Sequence, residues 1–120
     1  MTENEREMLP WRRYGIAVEF ECEVGRNMWM FEAHYNFYSD GRLGECFCKP
    51  CKTGADLEPQ LDKFCIVLSI ALQFGADINA VVKTITSGAE GPAINIFDAI
   101  AVVGAREQAN AMAEIAAGVA

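Results

Sequence analysis

Three of the chain's five cysteines fall within six residues, Cys46, Cys48 and Cys51 in "GECFCKPCKTG". Three thiolates at C-x-C-x-x-C spacing suit zinc, with Cys22 or His34 as a fourth ligand. Within them Cys48-Lys49-Pro50-Cys51 is a CxxC whose lysine would lower a thiol pKa. Both chemistries are incomplete. A zinc ribbon uses paired CxxC knuckles and only one is present, while a reactive CxxC opens a helix and this one closes a strand. The third reading is packing, because Cys46 and Cys48 lie two apart on a strand, share one face, and act there as small hydrophobes. The packing reading also takes Cys22 and Cys65 as core residues.

His34 is the single histidine, so any Ser/His/Asp or Cys/His set depends on it. Its neighbours on the same strand face are Glu19, Glu21, Glu23 and Glu32, which make either an acid/base site or a solvated sheet face. "KTGAD" before a helix invites a phosphate reading through Lys52 and the N–H groups around Gly54. Asp56 and Glu58 in the first turn would repel a phosphate and satisfy the helix dipole themselves.

The elements around these residues follow from periodicity. "IAVEFECEV" alternates with period two, Ile16, Val18, Phe20, Cys22 and Val24 against a row of glutamates, and "GRN" turns the chain. "MWMFEAHYNFY" continues as a second strand, "SDGR" turns again, and "LGECFCK" runs as a third strand to Pro50. From Asp56, an expected N-cap, the period becomes helical. Leu57, Leu61, Phe64, Leu68, Ala71 and Leu72 form a stripe that Cys65, Ile66, Val67 and Ile70 widen, so this helix is expected at the centre of the core, ending at Gly75. A short helix capped by Asp77 and a third helical region, bent at Gly104, complete the chain. The fold class is α+β: a three-stranded antiparallel β-meander followed by helices packed on one face in two layers. Residues 1–13 read as a polar arm pinned by Trp11, 14–103 as the domain, and 104–120 as a helical extension.

The chain has 120 residues and a formal net charge of -7. That balance, with no basic patch, argues against direct nucleic-acid binding and favours a basic protein surface as partner. No apolar run is long enough for a membrane span and the N-terminus is charged, so a cytoplasmic protein without membrane contact is expected, its odd cysteine count arguing against a disulfide framework.

The Asp-Gly-Arg turn at 40–42, Glu45 opening the third strand, the Lys52-x-Gly54 turn, the helix ending Leu-Ser-x-Ala-Leu-Gln-x-Gly over 68–75, and "SGAEGPAINIFDAIAVV" resemble the TSCPD-domain family. These modules occur at the C-terminal end of adenosylcobalamin-dependent ribonucleotide reductases and as short stand-alone proteins. The resemblance implies a module that accompanies nucleotide reduction, or a relative put to another use, and it carries no catalytic residue. Against the family pattern, Cys46 and Cys48 stand where valine or isoleucine is usual.

With no complete catalytic set, the leading reading is a small non-enzymatic protein-binding module, a homodimer, whose partner is ribonucleotide reductase or a basic protein surface. Trp11, Met28, Trp29 and Met30 are expected in an exposed patch, and Met112, Ile115 and Val119 in a C-terminal subunit interface formed by residues 105–119. Two alternatives stand beside it. One is a zinc- or thiol-dependent accessory of ribonucleotide reduction using Cys46, Cys48 and Cys51, and the other is an acidic inhibitor of a nucleic-acid-binding target.

Overall fold

A computed structural model of the chain describes residues 5–11, 14–52, 56–86 and 95–118. Three strands, β1 (Tyr14–Val24), β2 (Asn27–Phe37) and β3 (Leu43–Pro50), are followed by α1 (Glu58–Gln73), α2 (Ile78–Thr86) and α3 (Ile96–Ala116). The strands form one antiparallel sheet in the order β1-β2-β3, and the helices pack on one face of it, giving the expected α+β two-layer arrangement.

Turn chemistry fixes the register. β1 and β2 are joined by Gly25 and Arg26 alone, with Gly25 at φ 65, the arrangement of a two-residue hairpin turn with glycine first. The β1–β2 pairing then runs without a shift from Val24 opposite Asn27 to Tyr14 opposite Phe37. Between β2 and β3 the Tyr38 N–H donates to the Arg42 carbonyl (2.9 Å) and the Gly41 N–H to the Tyr38 carbonyl (2.9 Å). Gly41 sits at φ 93, and a Cβ there would meet the Met112 backbone at 3.1 Å. Both facts require glycine.

Alternation puts Phe31, Ala33, Tyr35 and Phe37 of β2 and Cys46 and Cys48 of β3 on the inner face, all buried. α1 lies along β3, α3 crosses the inner face in contact with all three strands, and α2 packs on α3. Leu61, Ile78 and Ile100 complete the buried centre. The Tyr35 hydroxyl, carried into that centre, donates to the Ile100 carbonyl at 2.7 Å, which meets the need of a buried polar group.

Two expectations change. Asp56 does not cap α1: Leu57 occupies the N-cap, already in helical conformation and without a side-chain cap bond, because its half-buried side chain packs on the core and Pro59 presets the first turn. Trp11 does not pin the arm, being 93% exposed. Leu9 takes that role, so close to Gly44 that a Cβ there would meet it at 2.9 Å, and the Glu7 N–H donates to the Gln73 carbonyl at 2.8 Å. α3 is one continuous helix through Gly104, whose missing side chain admits Tyr35 and Leu43; a Cβ would lie 3.0 and 3.1 Å from them. Beyond Gly104 one side of α3, with Glu107, Gln108 and Ala111, is buried in the monomer, while most of the described residues from 105 to 118 are exposed.

Candidate functional site

The cysteines are explained by the free edge of β3. In an antiparallel sheet every second residue of an edge strand directs its N–H and C=O away from its neighbour. The Cys51 N–H donates to the Met30 carbonyl of β2, so 45, 47 and 49 face β2 and 44, 46, 48 and 50 face outward. α1 supplies partners to these outward groups. Gln73 Nε2 donates to the Gly44 carbonyl at 3.0 Å, and Ser69 Oγ accepts from the Cys46 N–H at 3.0 Å and donates to its carbonyl at 3.3 Å. Cys65 accepts from the Cys48 backbone, and Pro50 has no N–H to satisfy. At the head of the strand the Leu43 N–H donates to Gln108 Oε1 of α3 at 2.8 Å.

The geometry permits this because four helix residues advance about 6 Å along the axis and two strand residues about 6.6 Å. Residues 65, 69 and 73 therefore keep step with 48, 46 and 44. Within this lock the thiols of Cys46 and Cys65, both free, lie side by side. Their hydrogen-bonding interaction and burial push Cys46 up, while the same interaction, followed by the Cys48 backbone, holds Cys65 below its ordinary value. Burial pushes Cys48 up to about 12. Cys46, Cys48 and Cys65 are buried thiols, whereas Cys51 is exposed beyond the strand. Among the described residues no three His, Cys, Asp or Glu side chains converge to hold a metal ion.

The opposite face of the sheet carries a shallow groove of about 560 Å³, lined by Gly15, Ala17, Glu32, His34, Asn36 and Phe47 among others. Gly15 leaves room for Asn36, whose Oδ1 would lie 2.1 Å from a Cβ there, and Asn36 Nδ2 donates to Glu45 at 2.8 Å. His34 Nε2 lies 2.9 Å from Glu32 Oε1, with Lys49 Nζ 3.8 Å from the same oxygen. The hydrogen bond from His34, followed by the Lys49 charge, lowers the Glu32 pKa against the opposing cost of desolvation. The pair is open to water, and the sheet itself stands between His34 on the outer face and the inward Cys46 and Cys48. His34 therefore forms no Cys/His set with Cys46 or Cys48.

Of the expected interface residues, Trp29 is half-buried and stacks on Phe31 at 6.2 Å between ring centroids, while Met30 is exposed on the outer face. Met112 is exposed and Ile115 half-buried on the last turns of α3; Val119 lies outside the described residues. A larger apolar surface sits where the sequence placed core. Val67 is 67% exposed, Ile66 55%, and Ile70 and Phe74 lie in the same outward stripe of α1. The signal for it was present, since an apolar stripe that wide cannot all face one sheet. None of the described helices is long and apolar enough to cross a membrane.

The sequence pattern of the TSCPD domain matches residues 14–107. Over 82 residues, 68% of this chain, the sequence is 37% identical to proteins from Streptantibioticus cattleyicolor and Streptomyces coelicolor and 34% identical to one from Bradyrhizobium diazoefficiens. Each is described as a vitamin B12-dependent ribonucleotide reductase. The matched stretch is 13%, 8% and 6% of those proteins, respectively, so the chain spans a small fraction of the curated relatives it matches. No solved structure matches the chain.

Proposed function

Because the chain belongs to the TSCPD-domain family, we propose that it is a non-enzymatic protein-binding module used beside nucleotide-reduction machinery, and that it pairs with a second copy of itself through α1. The likeness to vitamin B12-dependent ribonucleotide reductases supports the first part. The single observation behind the second is the outward apolar stripe of Ile66, Val67, Ile70 and Phe74. Exposed apolar residues contiguous on one helix face favour an interface over solvent.

The stripe is self-complementary. A two-fold axis through Ile70 sets two α1 helices antiparallel, bringing Ile66 of one copy near Phe74 of the other. Half-buried Phe64, one turn before Val67, borders the stripe and extends its apolar area.

Light scattering coupled to size exclusion at micromolar protein tests the pairing. The expected result is twice the chain mass, with Ile70→Glu weakening self-association roughly a hundredfold, because a carboxylate would be buried at the two-fold axis. A monomer at every concentration, or a dimer indifferent to Ile70→Glu, overturns the reading.

A further inference from the structure

We propose that the free edge of β1 is a docking strand for an extended partner segment that alternates basic and apolar residues. The sheet has two edges, and the helices satisfy only that of β3. Val24 and Asn27 close the two-residue hairpin as a hydrogen-bonded pair. The even residues of β1 therefore bond β2, and Gly15, Ala17, Glu19, Glu21 and Glu23 direct their N–H and C=O to the open side. Among the described residues no backbone–backbone hydrogen bond reaches that side, and at its end the Glu23 carbonyl accepts from the Cys22 thiol at 3.7 Å.

Edge strands are ordinarily guarded by shortness, lysine, proline, a bulge or an inward-pointing charge. β1 has none of these. It is eleven residues long, contains no lysine or proline, and pairs with β2 without a register shift. Its inner-face residues are apolar and incompletely covered: Ile16 is exposed, and Val18 and Phe20 are half-buried.

The chemistry of the occupant follows from the two faces. Glu19, Glu21 and Glu23 line the outer face, all exposed, and their cross-strand neighbours on β2 are Glu32, Met30 and Met28. None of the three is ion-paired among the described residues. A second copy pairing β1 to β1 would set one glutamate row beside another, in a chain of net charge -7, and like charges across a strand pair are unfavourable. A strand with Lys or Arg at every second position meets the glutamates on one face and Ile16, Val18 and Phe20 on the other. Main-chain bonds supply affinity and side-chain alternation supplies selectivity. This surface lies at the opposite edge of the sheet from α1 and does not depend on α1 pairing.

The test uses the full chain and a synthetic octapeptide alternating lysine with valine, read by backbone-amide NMR. The expected result is peptide-dependent protection of the amides of Ala17, Glu19 and Glu21, weaker at high salt, and none with the glutamate–valine peptide. Glu19→Pro removes one outward N–H without touching the β2 ladder and should weaken binding at least about tenfold. Glu19→Lys with Glu21→Lys, which keeps every backbone group, should exchange the preference between the two peptides. Absence of binding at millimolar peptide, protection confined to α1, unchanged affinity in a folded Glu19→Pro, or unchanged preference in the double lysine variant each overturns the proposal. So does edge protection that rises with protein concentration alone, which would make a second copy the occupant.

Discussion

The two edges of this sheet are treated in opposite ways. On β3, partners from α1 and α3 reach Leu43, Gly44, Cys46 and Cys48, and Pro50 withholds its own donor. On β1, the backbone groups of alternate residues from Gly15 to Glu23 face outward, and that stretch carries glutamates instead of guards. A covered edge belongs to the fold, and an edge left bare at this length is available to something else. The contrast separates residues that hold the domain together from residues free to meet a partner, although all of them look alike as strand residues.

The comparison breaks most visibly if proline is placed on each edge in turn. Cys46→Pro removes the N–H that Ser69 accepts and forces a ring against α1, and it should cost about 3 kcal/mol or more. Glu19→Pro should stay within about 1 kcal/mol of the parent chain, since its N–H faces water. Denaturant unfolding followed by circular dichroism measures both, and equal losses would mean the two edges do not differ. Ser69→Ala comes next, stranding a buried donor and acceptor on Cys46 at a cost of about 2–4 kcal/mol by the same measurement. Ser69→Thr, which keeps the hydroxyl, should recover part of that loss.

The smallest effect concerns the thiols. Native alkylation followed by mass spectrometry should label Cys51 rapidly and leave Cys46, Cys48 and Cys65 unmodified until the chain unfolds, because they are buried and Cys48 is pushed up to about 12. Raising the pH towards that value should not open them, since access rather than ionisation limits the reaction. Labelling of Cys48 at the rate of Cys51 would instead return CxxC chemistry to consideration.

The strands and turns were legible in the sequence because each of their signals is local: period two in "IAVEFECEV", and glycines at Gly25 and Gly41 where positive φ is needed. The Asp77 cap and the end of α1 at Gly75 were legible for the same reason. There the Ala76 N–H donates to the Ala71 carbonyl and the Gly75 N–H to the Leu72 carbonyl. What stayed hidden is relational. Ser69, Gln73 and Gln108 read as ordinary helix polars until β3 lies beside them, and the choice of which side of α1 faces inward is undetermined when apolar residues ring the helix. The cluster Cys46, Cys48 and Cys51 drew attention by spacing, yet Cys65, nineteen positions from Cys46, is the thiol that completes the edge.

The lock between α1 and β3 has a natural length. Helix and strand advance by unequal steps, about 6 Å and 6.6 Å, so they work as a vernier whose marks slip by about 0.6 Å at each step and by nearly 2 Å after three. Hydrogen bonds tolerate the first two steps, from 73 to 69 to 65. Continuing the series would set Leu61 opposite Pro50, and there the chemistry changes from hydrogen bonding to contact between two buried apolar side chains, which are indifferent to such a slip. A longer β3 could not be guarded by a longer α1 of the same design, and the run of paired edge groups is therefore bounded by the pitch of the helix rather than by the length of either element.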